Sequence, residues 1–260
     1  MLAFLRRLIY ALSNKILQKN TKEKLIIDFS KIKKSPFDIK PEFSYDANLS
    51  NGSFELGLKK SNCIAWVDIP KQEYHDHVIE AKIRLDSFGG YAAAGIVFHM
   101  MNDVGYNESF YDESIHENQV YDDAIGESFY GNASYYIALV SDKGYFRLDV
   151  VNNNVPSTVI AWSEISNPAH SDFDGTNINL KIITYKSNLI ILVNHNWVGE
   201  INNNYIKQGR LGFALASYSE NPNIRLEELE HSALGKEYTC KAYLEYLSID
   251  TRNKIIEEEY

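Results

Sequence analysis

Along the first twenty residues, apolar side chains recur at the three- and four-residue spacing of an α-helix. They are Leu2, Leu5, Leu8, Ile9, Leu12 and Ile16. Basic residues fall largely on the other faces, so residues 1–22 are predicted to form a short basic amphipathic helix. Arg6 and Arg7 interrupt the apolar run and no small-residue cleavage site follows at the right distance, which argues against a signal peptide.

From residue 23 to about 234 the helical spacing disappears, and short runs rich in Ile, Val, Phe and Tyr are separated by Asn, Asp, Gly and Pro. Twelve strands are predicted: 25–29, 53–58, 63–69, 77–85, 91–100, 135–141, 145–151, 158–162, 179–184, 189–194, 211–217 and 224–230. Turns at residues 141–144 and 186–188 predict two tight hairpins. So many strands with short connections predict an all-β, two-sheet antiparallel sandwich or jelly roll.

After Gly235 the helical spacing returns, with one apolar stripe formed by Cys240, Tyr243, Leu244 and Leu247. Residues 235–260 are therefore predicted to form a helical appendage. The two terminal helices could pack on each other or on the sandwich.

Charge is distributed unevenly along this chain. The whole sequence carries 26 Lys and Arg against 35 Asp and Glu, a net charge of −9. Residues 1–40 hold ten basic and three acidic residues, a net +7, which leaves −16 for the other 220. An acidic body repels phosphate backbones, so no nucleic-acid partner is expected. The basic helix could instead contact an anionic membrane surface peripherally through residues 1–20.

The 260-residue length permits a core that needs no disulfide or metal staple. The two cysteines, Cys63 and Cys240, match no zinc-binding spacing. No apolar run is long enough for a membrane-spanning helix. A cytoplasmic or membrane-peripheral location is therefore favoured over an exported one.

Residues 101–131 form an insertion far longer than an ordinary β connection. It contains eight Asp and Glu, six Phe and Tyr, and no Lys or Arg. Aromatic rings stack on the apolar faces of sugars, and carboxylates accept hydrogen bonds from hydroxyls or bind calcium. The insertion is therefore a candidate binding flap, with a structural or protein-contact role as the alternative and calcium as a possible cofactor.

Other residues offer less specific chemistry. His75 and His77 could share a strand face and hold a metal if a third ligand came from elsewhere, although a polar strand entry is the simpler interpretation. Glu228 and Glu230 are a strand-borne carboxylate pair of the kind a glycosidase needs, but their segment matches the closing strand of the sandwich, where a solvated face is expected. Trp66, Trp162 and Trp197 are core or half-buried candidates, with Trp197 singled out because it follows a turn.

Seven segments occur in an order and spacing that resembles concanavalin A-like, laminin-G-type jelly rolls, including the bacterial group related to keto-disaccharide hydrolase domains. They are residues 94–99, 135–148, 159–162, 179–182, 193–198, 209–214 and 224–229. The resemblance implies two antiparallel sheets, one of them concave, with glycan recognition on the concave face or rim and calcium near an edge. The family also includes enzymes, and fold alone does not fix function.

These observations favour a non-catalytic carbohydrate-binding module, with no catalytic residue assigned. The candidate ligand-binding residues are His99, Tyr106, Tyr111, Asp112, Glu113, Tyr121 and Trp197, with His99 expected to face the concave sheet. The alternative is a structural or protein-interaction domain that uses the insertion and the terminal helices. A glycoside-processing enzyme is less favoured, and the partner is a glycan or a protein.

Overall fold

The regular structure of the described residues is entirely β. The computed structural model describes residues 23–37, 39, 45–88, 90–101, 109–110, 133–153, 155–165, 176–202, 206–218, 238–251 and 256–257. The predicted N-terminal helix (1–22) and the predicted strand 224–230 lie outside these residues. Within them, no helix has the length and apolar character that crossing a membrane requires.

The described residues form sixteen strands, numbered in chain order. The first eight are β1 (Glu23–Asp28), β2 (Tyr45–Ser50), β3 (Ser53–Leu58), β4 (Cys63–Tyr74), β5 (His77–Ser87), β6 (Tyr91–Met101), β7 (Ser109–Phe110) and β8 (Ser134–Ser141). The others are β9 (Tyr145–Asn152), β10 (Val155–Glu164), β11 (Asn177–Tyr185), β12 (Asn188–Val193), β13 (Asn196–Asn202), β14 (Gly209–Tyr218), β15 (Cys240–Thr251) and β16 (Ile256–Glu257).

The strands form two antiparallel sheets. Sheet A has the order β13-β12-β11-β5-β15-β3-β2, with β1 pairing along the second half of β15. Sheet B has the order β10-β9-β8-β6-β14-β4-β16, with β7 also pairing with β4. This is the predicted jelly-roll sandwich.

The predicted strands that fall in the described residues are confirmed, most of them within two or three residues at each end. Both predicted hairpins are also present. In the first, the amide of Gly144 donates to the carbonyl of Ser141 (3.1 Å). In the second, Lys186 adopts a φ of 55° between β11 and β12. A third hairpin joins β2 to β3 through Asn51 and Gly52, a dipeptide well suited to positive φ values.

The predicted C-terminal helix is wrong over residues 240–251. This segment is β15, which lies at the centre of sheet A between β5 on one side and β3 and β1 on the other. A bulge between Leu244 and Tyr246 shifts the strand's alternation by one residue. The buried positions therefore pass from Leu244 to Leu247, a three-residue step that imitates helical spacing.

The main core lies between the sheets and draws on the inner faces of both. An aromatic group connects them: Phe37 packs on Phe54 (ring centroids 4.5 Å apart) in sheet A, and Phe54 meets Phe213 of sheet B edge-on (6.3 Å). This core takes up one face of each sheet, and each outer face carries a smaller apolar cluster of its own.

Candidate functional site

The outer side of sheet B carries a second, separate apolar cluster. Ile64, Trp66, Ala93, Val97, Met100, Ala133, Ile137, Leu139, Ala214 and Ala216 form it, and Tyr135, Trp162 and Tyr218 pack against it half-buried. We call this side the concave face. In an ordinary antiparallel sheet, the face turned to solvent carries mainly polar residues, whereas this face is apolar.

Two ring contacts show that the face is concave. Trp162 on β10 and Tyr218 on β14 lie four strand positions apart, about 19 Å along a flat sheet. Their ring centroids are nevertheless only 5.9 Å apart. Trp66 on β4 and Tyr135 on β8 are three positions apart, and their rings approach to 5.6 Å. The sheet must therefore curl so that side chains from distant strands meet above its middle.

Small residues line the floor beneath these rings. The strand register places Trp66 beside Ala214, Ala214 beside Gly95, and Gly95 beside Leu139. Leu139 in turn lies beside Arg147 on β9. One row across the sheet therefore runs from the ring of Trp66 through two small residues to Leu139 and the guanidinium of Arg147. We call this row of low side chains beside an aromatic wall the trough.

Arg147 supplies the polar chemistry at the β9–β10 end. Its Nε donates to Asp149 Oδ2 (2.7 Å) and its Nη2 to Thr158 Oγ1 (3.1 Å). The guanidinium carbon also lies 5.8 Å from the centroid of the Trp162 ring. These contacts fix a planar donor group beside an aromatic ring, the combination that suits hydroxyl-rich ligands with an apolar face.

A second ion pair lies on the β4–β14 side, where Arg210 Nη1 is 3.0 Å from Asp68 Oδ2. The two buried carboxylates on this face, Asp68 and Asp149, are thus each paired with an arginine. Among the described strands of sheet B, none carries two carboxylates at positions i and i+2. Glu228 and Glu230, the pair considered from sequence, lie outside the described residues.

Exposure is greatest at one end of the concave face. Trp66 and Arg147 are only 7% and 9% exposed, whereas β10 is exposed or half-buried along its whole length. Trp162 and Thr158 therefore present the accessible part of the face. A ligand would meet Trp162 first and Trp66 last.

His99 does not lie on the concave face, contrary to expectation. It has a φ of 55° and sits in the bulge between Phe98 and Met101, which turns the ring into the interior. The side chain is 0% exposed and its Nδ1 lies 2.5 Å from the carbonyl oxygen of Ile206. Burial lowers the pKa of His99 to about 4, so the ring is neutral at physiological pH.

Trp197 belongs to the other sheet. It packs half-buried on the outer face of sheet A against Val78, Ile183, Ile190 and Leu192. The structure therefore does not bring it together with His99 or with the concave face. Its position after the Asn194-His195 turn gives it no access to the trough.

The other candidate residues, Tyr106, Tyr111, Asp112, Glu113 and Tyr121, lie outside the described residues. Three described points show where their insertion is attached. It leaves sheet B after Met101, pairs through Ser109 and Phe110 with Ile64 and Cys63 on β4, and returns at Ala133. These attachments lie at β6, β4 and β8, so they bracket the middle of sheet B.

No group of three or more His, Cys, Asp or Glu side chains suited to a metal occurs in the described part of the chain. Calcium binding stays a prediction.

Sequence reasoning treated Trp66 and Trp162 as core residues and did not single out Tyr135, Tyr218 or Arg147. The available signal was the run of Ala and Gly at 92–95 together with small residues at alternate positions 212, 214 and 216.

Comparison with known proteins supports the fold. No protein-family model matches the chain, and no curated protein sequence matches it. The structure is similar to a β-glucanase of Bacillus licheniformis (TM-score 0.54, 8% identity, covering 89% of this chain and 99% of that one). A native glycosidic hydrolase gives a TM-score of 0.52 at 11% identity, with 91% and 98% coverage.

A third similar structure is a Bacillus subtilis protein of unknown function with a galectin-like fold (TM-score 0.50, 10% identity, 92% of each chain covered). Identities this low show the fold alone. The chain therefore has a concanavalin A-like jelly-roll fold, as its strand order predicted.

Proposed function

We propose that this chain is a non-catalytic carbohydrate-binding module whose binding surface is the concave face of sheet B. The observation that carries the proposal is the convergence of Trp66, Tyr135, Trp162 and Tyr218 above a floor of small residues. Aromatic rings presented on a curved surface match the apolar faces of successive sugar rings.

The polar groups fit the same ligand class. Arg147 and Arg210 are each held by a carboxylate, so they offer fixed hydrogen-bond donors without a net positive charge on the face. Hydroxyl groups of an uncharged sugar can accept from these guanidinium groups and donate to Asp149 and Asp68. Among the described residues of this face, phosphate or sulfate groups would meet no unneutralised arginine.

The absence of catalysis is proposed because the described concave face offers no pair of free carboxylates. Glycosidase chemistry needs one carboxyl to protonate the leaving group and another to act as nucleophile or base. Asp68 and Asp149 lie on opposite flanks of the sheet and each accepts from an arginine. The insertion residues Tyr106, Tyr111, Asp112, Glu113 and Tyr121 are proposed to add contacts over the trough.

A glycan array followed by calorimetry on the hits tests this proposal. Trp162→Ala should weaken binding at least tenfold, because the ring is the accessible part of the aromatic wall. Trp197→Ala is the matched control on the outer face of sheet A and should bind as the native chain does. Tyr111→Ala tests the contribution of the insertion.

The proposal fails if the native chain binds no glycan, or if binding ignores Trp162→Ala while that variant keeps its native melting temperature. Trp162 lies on an edge strand and is half-buried, so its loss should leave the fold intact. New reducing ends released from a bound polysaccharide would overturn the non-catalytic part alone.

A further inference from the structure

Two histidines from different sheets meet at one end of the sandwich interior. His77 is the first residue of β5 in sheet A, and His99 lies near the end of β6 in sheet B. Their ring centroids are 5.0 Å apart and the ring planes are inclined by 82°. Both residues are 0% exposed. The strand order brings together two side chains that are separated by 22 positions in sequence.

Each ring is oriented by the same kind of hydrogen bond. His77 Nδ1 bonds to the carbonyl oxygen of His75, and His99 Nδ1 bonds to that of Ile206. A carbonyl only accepts, so Nδ1 must carry the proton in both rings and Nε2 must be an unprotonated lone pair. Metal-binding histidines are held in this way, with the non-ligating nitrogen donating to a backbone carbonyl.

Neither Nε2 atom has a partner. His77 Nε2 and His99 Nε2 are both fully buried and lack a hydrogen bond. The rings around them are Tyr74, Phe98 and Tyr136, at centroid distances of 5.3 to 6.3 Å from the nearer histidine. Buried polar atoms without a partner are uncommon and cost about 1–3 kcal/mol each, so two in contacting rings are candidates for binding one shared ligand.

The spacing of the rings fits a shared metal ion. Two imidazoles bound to one tetrahedral zinc ion, with Zn–N bonds of about 2.0–2.1 Å, have ring centroids about 5 Å apart. We propose that His77 and His99 are two protein ligands of a single divalent transition-metal ion, each through Nε2. Water completes the coordination. The ion would join the two sheets where the insertion begins.

The donor set also selects the metal. Both ligands are neutral imidazoles, and neither ring nitrogen is bonded to a carboxylate in the described structure. Imidazole suits zinc, copper and nickel, whereas calcium and magnesium require oxygen ligands. The sequence had suggested His75 and His77 as the pair, but His75 lies in the turn between β4 and β5 and contributes its carbonyl.

Calorimetric titration of the chelator-treated chain with Zn²⁺ or Co²⁺ tests the site. The expected result is one ion per chain, a raised melting temperature, and no heat with Ca²⁺. His77→Asn and His99→Asn each keep a side-chain N–H near the position of Nδ1 but remove Nε2, and each should weaken binding at least tenfold. His195→Asn, a matched change at an exposed histidine, should have no effect.

Failure of the native chain to bind Zn²⁺ or Co²⁺ would overturn the proposal. So would metal binding by both site variants as tight as that of the native chain. If the variants do not fold, ¹⁵N spectra of the native histidine rings decide the question. Two rings should show unprotonated Nε2 atoms whose signals move together when Zn²⁺ is added. Signals that stay fixed in the presence of excess Zn²⁺, as they would if only a buried water bridged the rings, would refute the metal site.

Discussion

The outer faces of the two sheets differ in how much of their surface is polar. On sheet A, polar residues alternate with the core and pair across strands, as in Lys241 with Glu55 (2.6 Å) and Arg84 stacked on Tyr243 (3.8 Å). On sheet B, the corresponding positions are largely aromatic, small or aliphatic, and two ion pairs are buried among them. Sheet A also carries an outer apolar cluster, around Trp197, but in the described structure only the cluster on sheet B has aromatic rings from distant strands meeting over small residues, which is why we place function there.

Glycine substitutions should show the largest contrast between the faces. A Cβ on Gly95 in the trough would lie 1.8 Å from the carbonyl oxygen of Ala138, a backbone atom that cannot move aside. Gly95→Ala should therefore destabilise the protein by about 3 kcal/mol or prevent folding. On sheet A, a Cβ on Gly57 meets side-chain atoms of Tyr238 (2.7 Å) and Lys241 (3.4 Å), which can shift more easily than backbone.

Chemical denaturation of Gly95→Ala and Gly57→Ala measures this contrast. Gly57→Ala should lose about 1 kcal/mol. Equal losses would show that the floor of the trough is no more constrained than the solvated face, and would remove one reason for treating it as a preformed surface.

The ion pairs should give the next largest effect. The side chains of Arg147 and Asp149 are each 11% exposed, so Arg147→Met leaves a buried carboxylate and should cost about 3 kcal/mol. The Arg84 and Asp86 side chains are 40% and 32% exposed, and Arg84→Met should cost less than about 1 kcal/mol.

A double variant sharpens this comparison. Replacing both partners, with Arg147→Met and Asp149→Leu, should recover much of the loss because no unpaired charge remains. Urea unfolding at low and high salt is the measurement. A double variant no more stable than Arg147→Met alone would contradict the assignment of the loss to an uncompensated carboxylate.

The smallest expected difference between the sheets is in the rate of thiol labelling. This rate reports how readily local unfolding exposes a buried cysteine of each sheet. Cys63 lies on sheet B and Cys240 on sheet A, and both are buried and reduced. Burial raises the pKa of Cys240 to about 12, so its thiolate is scarce at pH 8. In single-cysteine variants, Cys240 should react more slowly with iodoacetamide than Cys63, which begins an outer strand of sheet B. Faster labelling of Cys240 would show that sheet A opens first.

The sandwich could be predicted because apolar and polar residues alternate every two positions along a strand with one buried face. This alternation is visible in a short stretch of sequence. The failures share one cause, since a bulge changes that alternation without leaving a local signal. The bulge after Leu244 made β15 resemble a helix, and the bulge at His99 turned its ring from the concave face to the interior. Both outcomes depend on partners from distant strands.

The concave face was missed for a related reason. Trp66, Ala214, Gly95 and Arg147 become neighbours only through the strand order, which joins β4, β14, β6, β8 and β9. Each residue alone is ordinary for a buried strand. Register between strands separated by more than a hundred residues cannot be derived from one sequence by periodicity.

The central position of β15 has a consequence for synthesis. Its partner β5 begins at His77, which pairs with Thr251 at the end of β15. About 170 further residues must therefore be synthesised before this pairing is complete. At ribosomal rates of about 5–20 residues per second, that delay lasts on the order of ten to thirty seconds. During it, β5, β3 and β1 expose hydrogen-bonding edges that β15 later occupies. Edge-to-edge aggregation is therefore a hazard for the nascent chain during this interval.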